Sequence, residues 1–312
     1  MRTEWVIHIW GKDRECLELT NQEKFHIHMI KNCDHTIFDK VLINIAMDNV
    51  YNKRLFKLLK SELLNIFSDV NEVDIRKCKN DFMLCEYVTF RPYVWDRIGE
   101  DVRIFYSHFK GYISNVQLIG DSPYPKRNLI INEYYWSYLM YRMSLDKEYT
   151  NEMKQSFDIG KDIYCWCFLD ESNLEYTIVP GMDDYYTQFF SGIEENVPDI
   201  KKYYESMSIH SPGSFVWYDM KNIYSHIGSF VDKLNLDSDM LKSVGSTRHF
   251  CELFIWRFLK IENIQEQTFI NNMRKQFSSI RNSSYTQLYC SKKICHKYIK
   301  DFDKYIIQNK LI

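Results

Sequence analysis

A chain of 312 residues, 45% hydrophobic and 26% charged, holds enough apolar material for one large α/β domain or two small ones. Its net charge of −2 lacks the basic footprint of a nucleic-acid binder, so no nucleic-acid partner is expected. No run of about 18 apolar residues is present to cross a membrane as a helix.

Nine cysteines stand at irregular spacing, and Arg2, Glu4 and His8 interrupt any apolar leader, so a reducing, cytoplasmic setting is expected. Cys290 and Cys295-His296 resemble half a zinc site without a second half nearby, so no metal ligand set is assigned. The 23 Tyr, 20 Phe and 7 Trp suit stacking on sugar rings, although a chain rich in Ile, Lys and Asn also gathers Tyr and Phe by compositional drift.

Along the chain, Glu4 to Trp10 reads as a first strand through Val6, Ile7 and Ile9, followed by a helix around Cys16 to Ile30. Val41 to Met47 is a second buried strand ending at Asp48. Lys53 to Phe67 is a helix with Leu55, Leu58, Leu59, Leu63, Leu64 and Phe67 assigned to one face. Val73 to Lys77 is a third strand, and Met83 to Ile98 a helix that Pro92 kinks or restarts. Val102 to Ser107 is the fourth strand. This order predicts an α/β fold, a mostly parallel sheet with helices on both faces. Phe109 to Leu129 is a long loop, Ile131 to Met143 an aromatic helix, Asp162 to Leu169 a strand, and Thr247 to Phe258 a helix containing Glu252. From Gln265 onward the pattern is helical and polar. The expected organisation is one domain over residues 1–260 and a helical appendage over 261–312.

Chemistry concentrates where the fourth strand ends. Arg103 to Gly111 runs from apolar residues into Ser107, His108 and Lys110, then a glycine. Ligands of open α/β sheets sit beyond the carboxyl ends of strands, and a His and a Lys there suit phosphate. The plainer reading is a strand followed by a solvated turn. Sheet topology also places His8, Ile9 and Trp10 at the end of the first strand, and Asp48 after the second, beside a nucleotide's base and ribose.

Five blocks in order resemble a family of bacterial and viral glycosyltransferases of capsule and lipopolysaccharide synthesis. They are Asn80 to Phe90 with Glu86-Tyr87-Val88-Thr89, Tyr106 to Gly111 (Y-x-H-x-K-G), Trp136 to Met140, His210 to Trp217, and Arg248 to Ile255. The resemblance covers about Asn80 to Ile255. It departs at Ser214 and Val216, where the family pattern has Asn and Trp, and at an insertion before His210.

The resemblance implies a GT-A-like, Rossmann-like domain moving a hexosyl or deoxyhexosyl group from a UDP-, dTDP- or GDP-linked donor to a glycan or lipid-linked glycan, with inversion. Lys110, His108 and Gly111 would meet the diphosphate, with Glu86 and Thr89 beside the nucleotide or simply opening a helix. His210, Gly213, Ser214, Trp217 and Arg248 would line the sugar and acceptor pocket. Glu252 would be the general base, or else a core carboxylate paired with Arg248. GT-A enzymes commonly hold Mg or Mn through D-x-D at the fourth strand's end. Here Ser107-His108-Phe109-Lys110 carries no carboxylate, so a required metal is not expected, although a divalent ion is compatible. Asp237-Ser238-Asp239 and Asp183-Asp184 read as surface loops or helix caps.

Cys290 to Ile312 sets six lysines and two aspartates around an apolar stripe that includes Phe302. Such a helix either lies on an anionic membrane surface or packs on its own domain. A catalytically silent nucleotide-sugar or carbohydrate-binding protein is the competing expectation. A nucleotidyltransferase is disfavoured because no glycine-rich phosphate loop follows the first strand.

Overall fold

Four parallel strands form the body of the sheet because each buries one or both faces. In the computed structural model, β1 (Arg2–Gly11), β2 (Lys40–Met47), β3 (Glu72–Lys79) and β4 (Val102–His108) are joined by β5 (Ile163–Cys165) and β6 (Val216–Asp219) in the order β3-β2-β1-β4-β6-β5. The structure describes residues 1–15, 17–81, 86–109, 137, 138, 140–142, 144–165, 215–231, 301, 302, 304 and 308. Central β1 and β2 are near-continuous apolar runs, as expected of parallel strands covered on both sides. β3 lies at the edge and keeps Glu72, Asp74, Arg76, Lys77 and Lys79, charges that discourage edge-to-edge pairing. β6 runs antiparallel to β4, with Phe105 opposite Trp217, so the sheet is mixed rather than parallel throughout.

Period-two alternation sorts the side chains into two layers. One face holds Trp5, Ile7, Ile9, Val41, Ile43, Ile45, Phe105 and Trp217, all essentially inaccessible. Against it lie α1 (Asn21–Lys31), α2 (Lys53–Ile66), helical residues within 137–145 and α4 (Lys147–Asp158). Trp5 meets Phe67 edge-on at 5.7 Å, and its indole N–H donates to Ser107 Oγ at 2.8 Å. Ser107 therefore faces the core, away from its neighbours Tyr106 and His108.

The other face is covered by the short α3 (Tyr87–Tyr93) and a 3-10 turn over Trp95–Arg97. Phe90 packs edge-on against Tyr106 at 5.4 Å. At the amino end of this face Glu4 is buried, held by Arg97 at 2.7 Å and Arg2 at 3.0 Å. α5 (Met220–Val231) begins where Asp219 accepts from the backbone N–H of Asn222 at 3.0 Å.

Two sequence expectations need correction. α1 begins at Asn21, not near Cys16. Thr20 and Glu23 form a reciprocal capping box, and Glu23 also holds Arg14 through two hydrogen bonds. On α2, Leu55, Leu59, Leu63 and Phe67 are buried, whereas Leu58 is only half-buried and Leu64 is 42% exposed. Leu64 lies nine residues after Leu55, half a turn out of phase at about 100° per residue. The expected break at Pro92 is present: the helix after β3 ends at Tyr93 and resumes as the 3-10 turn.

Phe302, in the C-terminal stretch, is fully buried against Tyr138 at 5.4 Å and belongs to the main core, which favours packing on the chain's own domain. No helix among the described residues is long and apolar enough to cross a membrane.

Candidate functional site

The strand order has one switch point. Among the described strands, β2 and β3 extend to one side of β1, whereas β4 lies on the other; open α/β sheets take ligands beyond the strands' carboxyl ends at such a point. Register pairs His8 with His108 on β4 and with Asn44 on β2, and Asn44 with Arg76 on β3. A row of polar residues thus crosses four strands near their carboxyl ends, on the face that α3 covers.

Each histidine has its own partner. Nδ1 of His108 lies 2.5 Å from Glu86 Oε1, and both residues are more than nine-tenths buried. Nδ1 of His8 lies 2.7 Å from Thr89 Oγ1, which also accepts from the Asn44 amide at 2.8 Å. The same amide reaches Cys78 Sγ at 3.3 Å. Among the described residues, three buried atoms here have no hydrogen-bond partner: His108 Nε2, Glu86 Oε2 and Asn44 Oδ1. Buried polar atoms are rarely left unpaired, which marks these three as candidates to meet a further polar group.

Burial pushes the His8 imidazole down from 6.5 to about 4; nearby Glu86 opposes the shift and His108 adds to it. His8 is therefore neutral in the fold at pH 7. Its folded value lies below its unfolded value, so the unfolded chain binds the extra proton first. The stability contribution is complete above about pH 6.5 and declines as pH falls toward 4, by about 1.4 kcal/mol per pH unit. Urea melts from pH 7.5 to 4.5 should show a shallower acid loss for His8→Asn than for the natural chain. Equal slopes would mean that His8 is not held neutral.

Asp48 plays a structural part at the neighbouring strand ends. Its Oδ1 accepts from the Trp10 indole at 2.6 Å and from the Asn80 amide at 2.8 Å, and its Oδ2 from the Asp13 backbone at 3.2 Å. It ties together the ends of β1, β2 and β3, so one Oδ2 lone pair is what remains for a ribose hydroxyl. Trp10 is partly exposed and Tyr51, in the turn after Asp48, is almost fully so.

The structure thus brings together His8, Trp10, Asp48, Glu86, Thr89 and His108 at one end of the sheet. Ile9 points its side chain into the opposite core, where it has no exposed surface. Trp217 requires a correction. Expected on the sugar-pocket wall, it is fully buried, stacked on Phe38 at 5.5 Å, with its indole donating to the Ser144 carbonyl at 2.9 Å. Lys110, Gly111, His210, Gly213, Ser214, Arg248 and Glu252 lie outside the described residues, as do Asp183-Asp184 and Asp237-Ser238-Asp239. Sequence reasoning missed Asn44 and the Asn80 contact to Asp48. The signal for Asn44 was present: a lone amide inside the apolar run Val41 to Met47.

A cleft of about 390 Å³ lies elsewhere, between the end of α1 and the start of α4, lined by His28, Cys33, Asp34, Tyr138, Arg142 and Lys147 among others. None of the switch-point residues lines it. No group of three or more His, Cys, Asp or Glu among the described residues is arranged to hold a metal ion. No family model matches the chain, and neither the curated proteins nor the solved structures include a significant match.

Proposed function

We propose that the chain is a GT-A-like glycosyltransferase that moves a sugar from a nucleoside-diphosphate donor to a glycan or lipid-linked glycan acceptor. The observation that carries this reading is the buried row His108, His8 and Asn44, with Glu86 and Thr89, at the switch point between β1 and β4. Open α/β sheets bind nucleotides at that place. The five sequence blocks supply the reaction class, which the fold alone never does. In this reading the diphosphate lies over the carboxyl ends of β1 and β4, Lys110 and His108 neutralise it as it leaves, and Glu252 takes the acceptor's proton. The bond from the anomeric carbon to the diphosphate oxygen breaks as the bond to the acceptor oxygen forms, and the diphosphate keeps the electron pair.

Release of nucleoside diphosphate from a panel of UDP-, dTDP- and GDP-sugars, with and without glycan acceptors, tests the reading. One donor should be turned over, and activity should persist in chelator because the sequence Ser107-His108-Phe109-Lys110 has a lysine and no D-x-D where a metal would be held. Complete loss in chelator, restored by manganese or magnesium, would reject the metal-independent part. A second reading is kept by the lack of D-x-D in Ser107-His108-Phe109-Lys110: a silent nucleotide-sugar binder. It predicts thermal stabilisation by a donor, about 2.7 kcal/mol at a hundredfold excess over Kd, with no release of nucleoside diphosphate.

A further inference from the structure

The two histidines stand side by side on neighbouring parallel strands, yet their Nδ1 partners differ in kind. A carboxylate holds His108 and a hydroxyl holds His8. Where Glu86 is ionised its Oε1 only accepts, so Nδ1 of His108 carries a proton and Nε2 is turned away from the carboxylate. Thr89 Oγ1 accepts from the Asn44 amide and keeps one lone pair and one hydrogen; in the arrangement inferred below, that hydrogen is donated to Nδ1 of His8. The His8 proton then resides on Nε2. Both rings therefore turn Nε2 away from their scaffolding partners. Among the described residues His108 Nε2 is buried with no partner, in a residue 7% exposed.

We infer that His8 and His108 form one oxyanion subsite for a diphosphate, in which Glu86 makes His108 the cation and Thr89 with Asn44 makes His8 the neutral donor. The inference rests on the reading proposed above, and it adds a division of labour that the sequence blocks do not contain. Two adjacent imidazolium ions would repel each other. One cation and one neutral donor present two N–H groups to the same anion without that repulsion. The groups facing the pair are Glu86, ahead of α3, and each ring to the other across β1 and β4. Glu86, Thr89 and Asn44 are positioning residues, acting through the rings.

The probe is inorganic pyrophosphate, titrated calorimetrically into the full-length chain, its His8→Asn, His108→Asn, Glu86→Gln and Thr89→Val variants, and a control, His28→Asn, in the other cleft. His8→Asn and His108→Asn should each weaken binding about tenfold to a hundredfold, with His28→Asn unchanged. Nitrogen-detected NMR of the imidazoles separates positioning from mere structural support. With pyrophosphate bound, His108 should be doubly protonated and His8 protonated on Nε2 alone. Glu86→Gln should remove the second His108 proton, and Thr89→Val should mix the His8 tautomers, while the fold stays intact by circular dichroism. Wild-type affinity in His8→Asn and His108→Asn, no pyrophosphate binding, or a His8 proton on Nδ1 would overturn the inference. Binding with these signatures, but no turnover of any nucleotide sugar, would uphold the subsite and remove the transferase reading.

Discussion

Glu252→Gln is expected to lower sugar transfer about 10²–10⁴-fold while leaving donor binding close to that of the natural chain. The substitution keeps the side chain's shape and removes its basicity. The expectation rests on the last block of the resemblance, Arg248 to Ile255, in which Phe250, Leu253, Phe254 and Ile255 flank Glu252 in the sequence. Apolar neighbours disfavour the charged form and raise a carboxyl group toward values useful for proton abstraction. A core carboxylate paired with Arg248 predicts something else: a loss of stability with turnover per folded molecule retained. The two are separated by measuring kcat and Tm on the same preparation. A product that keeps the donor's anomeric configuration would also reject Glu252 as the base of an inverting transfer.

Trp217→Ala is expected to cost about 3–5 kcal/mol of stability, the range for truncating a large buried aromatic. Trp217 is fully buried, stacked on Phe105 at 4.8 Å and on Phe38, and its indole N–H holds the Ser144 carbonyl. Removing it opens a cavity between β6 and the helical residues within 137–145, and leaves a buried carbonyl unpaired. Trp217→Phe keeps most of the packing and should recover most of the stability. Denaturant unfolding of both variants checks this. A residue on a sugar-pocket wall would behave in the opposite way, with KM raised and stability unchanged, and that outcome would return Trp217 to the binding site.

The legible part of the fold is the part governed by local rules. β1, β2 and β4 announce themselves as runs of Val, Ile and Leu because parallel strands bury both faces. α2 shows its Asn52 cap and its Leu55, Leu59, Leu63 stripe. The start of α1 was equally legible as Thr20-Asn21-Gln22-Glu23, a capping box that an apolar count passes over. What was not legible depends on register. Period two says that Val216 and Trp217 face opposite ways, but only the antiparallel pairing of Phe105 with Trp217 decides which faces the core.

The same distinction holds at the site. His8, His108 and Asp48 were picked out because strand ends and the switch point are topological features, and Glu86 and Thr89 because they stand in the block Asn80 to Phe90 of the resemblance. Their pairings were not, because Glu86 meets His108 and Thr89 meets His8 only when α3 folds back over the sheet. Asp48 looked like a ribose ligand from its position after β2. Its contacts to Trp10, Asn80 and the Asp13 backbone come from three separate stretches of chain that no local pattern joins.

The most direct measurement of the central claim, that a nucleoside diphosphate binds at the β1–β4 switch point, is a titration of UDP, dTDP and GDP into imidazole-labelled protein, with the nine histidines followed by NMR. His28 in the cleft beside α4 and His35 before β2 are internal controls away from the switch point. The account predicts that one nucleotide shifts His8 and His108 together, saturably, with His28 and His35 unmoved. Shifts confined to His28 or His35, or no shift with any of the three nucleotides, would contradict it.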